Sequence, residues 1–101
     1  MLNNSKDVFT AKVAVLDGYG LHARPAAGLA KTAQKFKAEI CLIYGENRAD
    51  AKSILDILAL AVSQNSELVL ECRGEDAEPA GKALLKLFQP GFHSRSGSKM
   101  P

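Results

Sequence analysis

Apolar and polar residues alternate over residues 8–16, with Phe9, Ala11, Val13 and Val15 on one side and Thr10 and Lys12 on the other, which predicts a half-buried strand. Asp17-Gly18-Tyr19-Gly20 ends it with turn residues. Beyond His22 the period lengthens. Ala26, Leu29, Ala30 and Ala33 recur at helical spacing opposite Lys31, Gln34 and Lys35, so a first helix is expected over about residues 23–35. Residues 38–44 read as a second strand, with Ala38, Ile40, Leu42 and Tyr44 on one face. Gly45-Glu46-Asn47 then turns the chain into a short third strand near 48–51. Ser53 stands where an N-cap belongs, ahead of an apolar run that predicts a second helix over 54–62. Leu68, Leu70 and Cys72 alternate with Val69, Glu71 and Arg73 in a fourth strand that stops at Gly74. An acidic start (Glu75, Asp76, Glu78) with Pro79 then leads into Ala80, Leu84, Leu87 and Phe88, the apolar side of a third helix. The order βαββαβα suits an α+β fold in which helices cover one face of a single sheet.

At 101 residues the chain has room for one domain and a modest core. The expected organisation is an N-terminal extension (1–7), a folded unit (8–89) and a flexible tail (90–101) rich in Gly, Ser and Pro, in which His93, Arg95 and Lys99 have no motif around them. A 47% hydrophobic and 24% charged composition excludes a disordered acidic or collagen-like chain. A formal charge of +2, with only four Phe and two Tyr, argues against nucleic acid as a partner. Cys41 and Cys72 are too few for a disulfide scaffold and are expected as free thiols. No apolar h-region follows the first Met. The longest nearly apolar run, 54–62, falls well short of the roughly 20 residues a membrane helix needs, so a soluble, cytoplasmic, monomeric protein without membrane insertion is expected.

Chemistry concentrates in Gly20-Leu21-His22-Ala23-Arg24-Pro25-Ala26-Ala27, where an imidazole and a guanidinium lie two residues apart at a helix start. Proline is tolerated only in a helix's first turn, so Pro25 ties that start to the residues just before it. The unpaired first-turn amides and the helix dipole attract anions, and Arg24 can add a bidentate oxyanion donor. The same field favours the neutral imidazole, leaving a ring nitrogen able to accept a phosphoryl group and, because a P–N bond is labile, to pass it on. No general base, metal cluster or second carboxylate accompanies His22 in the motif, so neither a metal nor a hydrolytic end reaction is implied. On spacing alone, His22 as a simple helix cap with Arg24 as a solvated surface charge stands as an equal reading.

The run Gly20–Ala26 is similar to the active-site signature of the HPr family, the histidine-containing phosphocarriers of the bacterial phosphoenolpyruvate-dependent phosphotransferase system. The resemblance extends over about residues 6–89. It includes Lys52-Ser53-Ile54-Leu55, in which Ser53 follows His22 by 31 residues, the separation at which the family carries its regulatory serine. The resemblance implies an open-faced β-sandwich with three helices on one face of a four-stranded antiparallel sheet. It implies a carrier, not an enzyme, with no cofactor. Nδ1 of His22 would take the phosphoryl group from enzyme I and yield it to IIA or IIB permease components or to a regulator, with Arg24 and the amides near Ala23 steadying its oxygens. It further implies that Ser53 is a target of HPr kinase/phosphorylase.

On a helical wheel for 54–62, Ile57, Leu60 and Ala61 form one apolar stripe and Ile54, Leu55 and Leu58 a second; one sheet seldom buries both. The second stripe, with Ala27, is therefore assigned to partner docking, where the family docks its partners. Tyr19 stands where sugar-transport members often carry Asn, Ser or Thr, and Ala61 where they often carry Gly. The Leu-Ala-Leu-Ala-Val run is nearer to the nitrogen-related branch. The alternative function is accordingly a regulatory interaction module, governed by Ser53 or His22, without sugar transport.

Overall fold

The structure, a computed structural model, describes residues 7–15, 23–63 and 66–88. The elements are β1 (Val8–Ala14), α1 (Ala23–Ala33), β2 (Glu39–Tyr44), β3 (Asn47–Asp50), α2 (Ile54–Ala59), β4 (Glu67–Arg73) and α3 (Ala77–Leu87). The strands form one antiparallel sheet in the order β1-β4-β2-β3. Tyr44 pairs with Asn47 across a two-residue loop in which Gly45 takes φ 63°, the positive value such hairpin turns demand.

The alternation of each strand decides which face is covered. Val13, Ile40, Leu42, Ala49, Leu68, Leu70 and Cys72 point into the core, while Thr10, Lys12, Glu39, Arg48 and Arg73 face solvent. Three helices lie over the buried face and leave the other open. α1 contributes Ala26, Leu29, Ala30 and Ala33, on the side that meets α2 and α3, and α3 contributes Ala77, Ala80 and Leu84. All join one cluster whose largest fully buried side chains are Ile40, Leu42, Ile57, Leu70, Leu84 and Cys72.

Two expectations for the second helix are corrected. α2 stops at Ala59 instead of running to residue 62: Leu60 is its C-cap, and Ala61 takes φ 55°, a left-handed conformation no helix continues through. Ala61 is therefore exposed and off the helix, while Val62 turns into the core at 3% exposure. The alternative stripe containing Ile57 and Leu60 is buried as expected. Of the terminal segments expected at 1–7 and 90–101, only Asp7 falls among the described residues.

Candidate functional site

β1 carries the chain to the end of the sheet at which β4 begins. There Ala14 pairs with Glu67, and the Val15 amide donates to the Ser66 carbonyl at 2.9 Å. Ser66 Oγ lies 3.1 Å from both the Tyr44 hydroxyl and Ser63 Oγ, tying the ends of β2 and β4 together beside that crossover. The chain re-enters the described residues at Ala23, the first residue of α1. Tyr19, Gly20, Leu21 and His22 lie outside the described residues, and for Ala23 and Arg24 it is the helical backbone that is described. Pro25 is the third helical residue, inside the turn whose N–H groups have no partner within the helix, so its missing donor is of no consequence. That first turn contains no acidic residue to neutralise its partial positive charge.

α1 runs from this end of the sheet to the opposite one. Its C-terminal turn meets the start of α2 through two hydrogen bonds, Gln34 Nε2 donating to the Lys52 carbonyl at 2.8 Å and Lys52 Nζ donating to the Phe36 carbonyl at 2.8 Å. Ser53 therefore lies beside the C-terminal end of α1, an 11-residue helix or roughly 16 Å from the first residue of that helix. It is the N-cap of α2, with Oγ accepting from the Asp56 amide at 3.2 Å. These α1–α2 ties left no periodic trace in the sequence, since both use backbone carbonyls as acceptors.

Ala27 is exposed on α1, and on α2 Ile54 and Leu55 are 41% and 77% exposed, the exposed large hydrophobics of the described residues. Leu58, grouped with them on the wheel, is half-buried and packs against the core. Lys31 is exposed on α1, and Lys35 is exposed in the turn just past its end. The described part of the site is thus an acid-free helix start on α1, with exposed Ala27 a turn along it and the uncovered Ile54 and Leu55 on α2, which meets the other end of α1. On the open sheet face, Arg48 and Arg73 donate to the two oxygens of Glu71 at 2.7 and 3.3 Å, and the Arg48 bond foremost holds that carboxyl below its usual range.

A four-stranded open sheet under three helices, with a His-Ala-Arg-Pro run opening the first helix, defines a small phosphocarrier domain. The chain matches the family model described as "PTS HPr component phosphorylation site" over residues 9–90. It is 41% identical over 80 residues to the phosphocarrier protein HPr of Treponema pallidum, covering 79% of this chain and 91% of that protein. Over 85 residues it is 36% identical to the phosphocarrier protein NPr of Shewanella violacea, covering 84% of this chain and 93% of that one. Its fold is similar to the crystal structure of HPr-C-His from Thermoanaerobacter tengcongensis, with a TM-score of 0.81 at 37% identity, covering 86% of this chain and 98% of that one. The chain belongs to the HPr family, the phosphocarriers of the phosphotransferase system. Its role is that of a phosphoryl carrier and not of an enzyme, and its partners are proteins of that system. Among the described residues no helix is long and apolar enough to cross a membrane.

Proposed function

We propose that, in the cytoplasm, the unit spanning residues 8–89 carries a phosphoryl group on Nδ1 of His22, taken from phosphorylated enzyme I and given to a histidine or cysteine of a IIA or IIB component or to a regulator. The observation that carries this reading is the match to the family's phosphorylation-site model over 9–90, which spans the Gly20–Ala26 run opening α1. In the accepting step the Nδ1 lone pair attacks phosphorus, a new P–N bond forms, and the donor's bond to phosphorus breaks with its electron pair returning to the donor. Delivery is the same displacement in reverse, with His22 as the leaving group. Arg24 and the free amides near Ala23 hold the three phosphoryl oxygens through both steps, where charge is greatest.

Ala27, Ile54 and Leu55 supply the docking contact, with Leu58 at its inner border. Apolar surface left uncovered on a domain this small marks a binding face. A phosphate on Ser53 would stand beside Asp56 and next to Leu55, placing negative charge at that face and disfavouring an acidic partner.

Incubation with enzyme I and labelled phosphoenolpyruvate tests the reading. The wild-type chain should take up label that is lost in acid and kept in alkali, and His22→Ala should take up none. An unlabelled wild type, or label retained in His22→Ala, would falsify it.

A further inference from the structure

The sheet is unevenly supported at the end where β1 finishes. β1 pairs with β4 as far as Ala14 opposite Glu67, and one rung further the Val15 amide donates to the Ser66 carbonyl at 2.9 Å. β2 gives out earlier, its pairing with β4 ending at Ile43 opposite Val69. Past that point β4 has a strand on one side only among the described residues, and the last rungs of a ladder are the first to open.

A chain of three hydroxyls stands where further β2–β4 rungs would be. Tyr44 Oη lies 3.1 Å from Ser66 Oγ, which lies 3.1 Å from Ser63 Oγ. A serine hydroxyl has one proton and two lone pairs, so Ser66 can donate to one neighbour while it accepts from the other. Its side chain is then held from both directions. Tyr44 is a firm anchor for that chain: it follows Ile40 and Leu42 on the face of β2 that the helices cover, and its half-buried ring packs against the core. Apolar packing alone would close this end of the sheet without regard to direction. Hydrogen bonds fix an orientation as well.

Seven residues separate Val15 from Ala23, the first residue of α1, and His22 is the last of them. Val15 is itself buried at 3% exposure, so both its side chain and its amide are tied down. We infer that Tyr44 is a positioning residue for phosphoryl transfer: through Ser66 its hydroxyl fixes the rung at Val15 from which the chain sets out toward His22, and with it the angle at which the imidazole meets phosphorus. The inference rests on the carrier reading above and adds to it a residue that acts at one remove from the phosphoryl group. Displacement at phosphorus depends on alignment, and a misplacement of about 1 Å at the reacting atoms can cost roughly a hundredfold in rate.

Tyr44→Phe, Ser66→Ala and Ser63→Ala each delete one hydroxyl of the chain, and Ser66→Thr keeps it. Rapid-quench transfer from phosphorylated enzyme I to saturating full-length chain should slow about tenfold for Tyr44→Phe and Ser66→Ala and about threefold for Ser63→Ala. The half-saturating concentration should stay unchanged, and Ser66→Thr should transfer at the wild-type rate. Asp76→Ala is the structural control, because the Asp76 carboxylate ties the Lys37 and Ala38 amides at the opposite end of the sheet. It should lower Tm yet leave the transfer rate and the nitrogen-15 resonances of the His22 ring as they are, whereas Tyr44→Phe should move those resonances. Wild-type transfer in Tyr44→Phe and Ser66→Ala would overturn the inference whatever their Tm, as would a loss in Asp76→Ala as large as theirs. If Tyr44→Phe does not fold, the exposed Ser63 still decides the matter, since wild-type transfer in Ser63→Ala and Ser66→Ala overturns the inference just as well. A wild-type chain that accepts no phosphoryl group would end the carrier reading and this inference together; a competent wild type with unslowed variants ends this inference alone.

Discussion

Ala61 sits in the left-handed region at φ 55°, where an L side chain crowds its own carbonyl. The strain ends α2 and lets Val62 drop back into the core. Ala61→Gly should relieve more strain than it adds in unfolded-state entropy, a net gain of about 0.5–1 kcal/mol, seen as a higher urea midpoint at unchanged m. Gly81 responds the other way. Gly81→Ala improves helix propensity yet forces a methyl into the Phe9 ring, and should lose about 1–3 kcal/mol. Neither behaviour was legible in the sequence, because Leu58-Ala59-Leu60-Ala61-Val62 contains no helix breaker, and a glycine's neighbours across the fold leave no mark on its own segment. The cysteines differ by strand phase alone. Cys41 pairs with Glu71 and Cys72 with Ile40, so their side chains leave opposite faces of the sheet and cannot meet in a disulfide. Burial pushes the Cys72 thiol up to about 11, whereas Cys41 lies half-exposed. One thiol per native chain should therefore react with a disulfide reagent at neutral pH, the second only after unfolding, and Cys41→Ser should abolish the first.

Elements were the most readable level, since each strand's alternation announces its own buried face. Val13, Leu42 and Leu70 are buried on the face that the alternation of their strands predicts, and register follows from that phase. Contacts between turns were not readable. Asp76 looks in sequence like an acidic residue favouring the start of a helix, and it is indeed the N-cap of α3, but without a side-chain capping bond. Its two oxygens instead accept from the Lys37 and Ala38 amides at 2.9 and 2.8 Å, clasping the turn before α3 to the turn before β2. The Lys37 bond first, then the Ala38 bond, holds the Asp76 carboxyl below its ordinary range. A carboxyl depressed in the folded state stabilises the fold fully above its unfolded pKa, near 4, and that contribution disappears as pH falls through the folded value. Asp76→Ala should lower Tm at pH 7 and shrink the difference from wild type as the pH drops below about 4. An equal loss at pH 7 and pH 2.5 would contradict the clasp.

At the scale of the molecule, the fold places an acid-free helix start at one end of α1 and the Ser53 cap at the other, with the uncovered Ile54 and Leu55 on the helix that Ser53 caps. The motif itself was plain in the sequence because proline permits so few helix positions, and Pro25 lies in the first turn as that rule requires. The separation of Ser53 from the first residue of α1 was hidden, since it depends on α1 and α2 meeting through Gln34, Phe36 and Lys52. The account turns on one imidazole nitrogen acting as the covalent way-station. Phosphorus-31 and nitrogen-15 NMR of the freshly phosphorylated chain addresses it most directly. A phosphoramidate signal coupled to Nδ1 of His22 and discharged on adding a IIA component is the expected result; phosphorus bonded to any other atom, or a His22 adduct that no acceptor discharges, would contradict it.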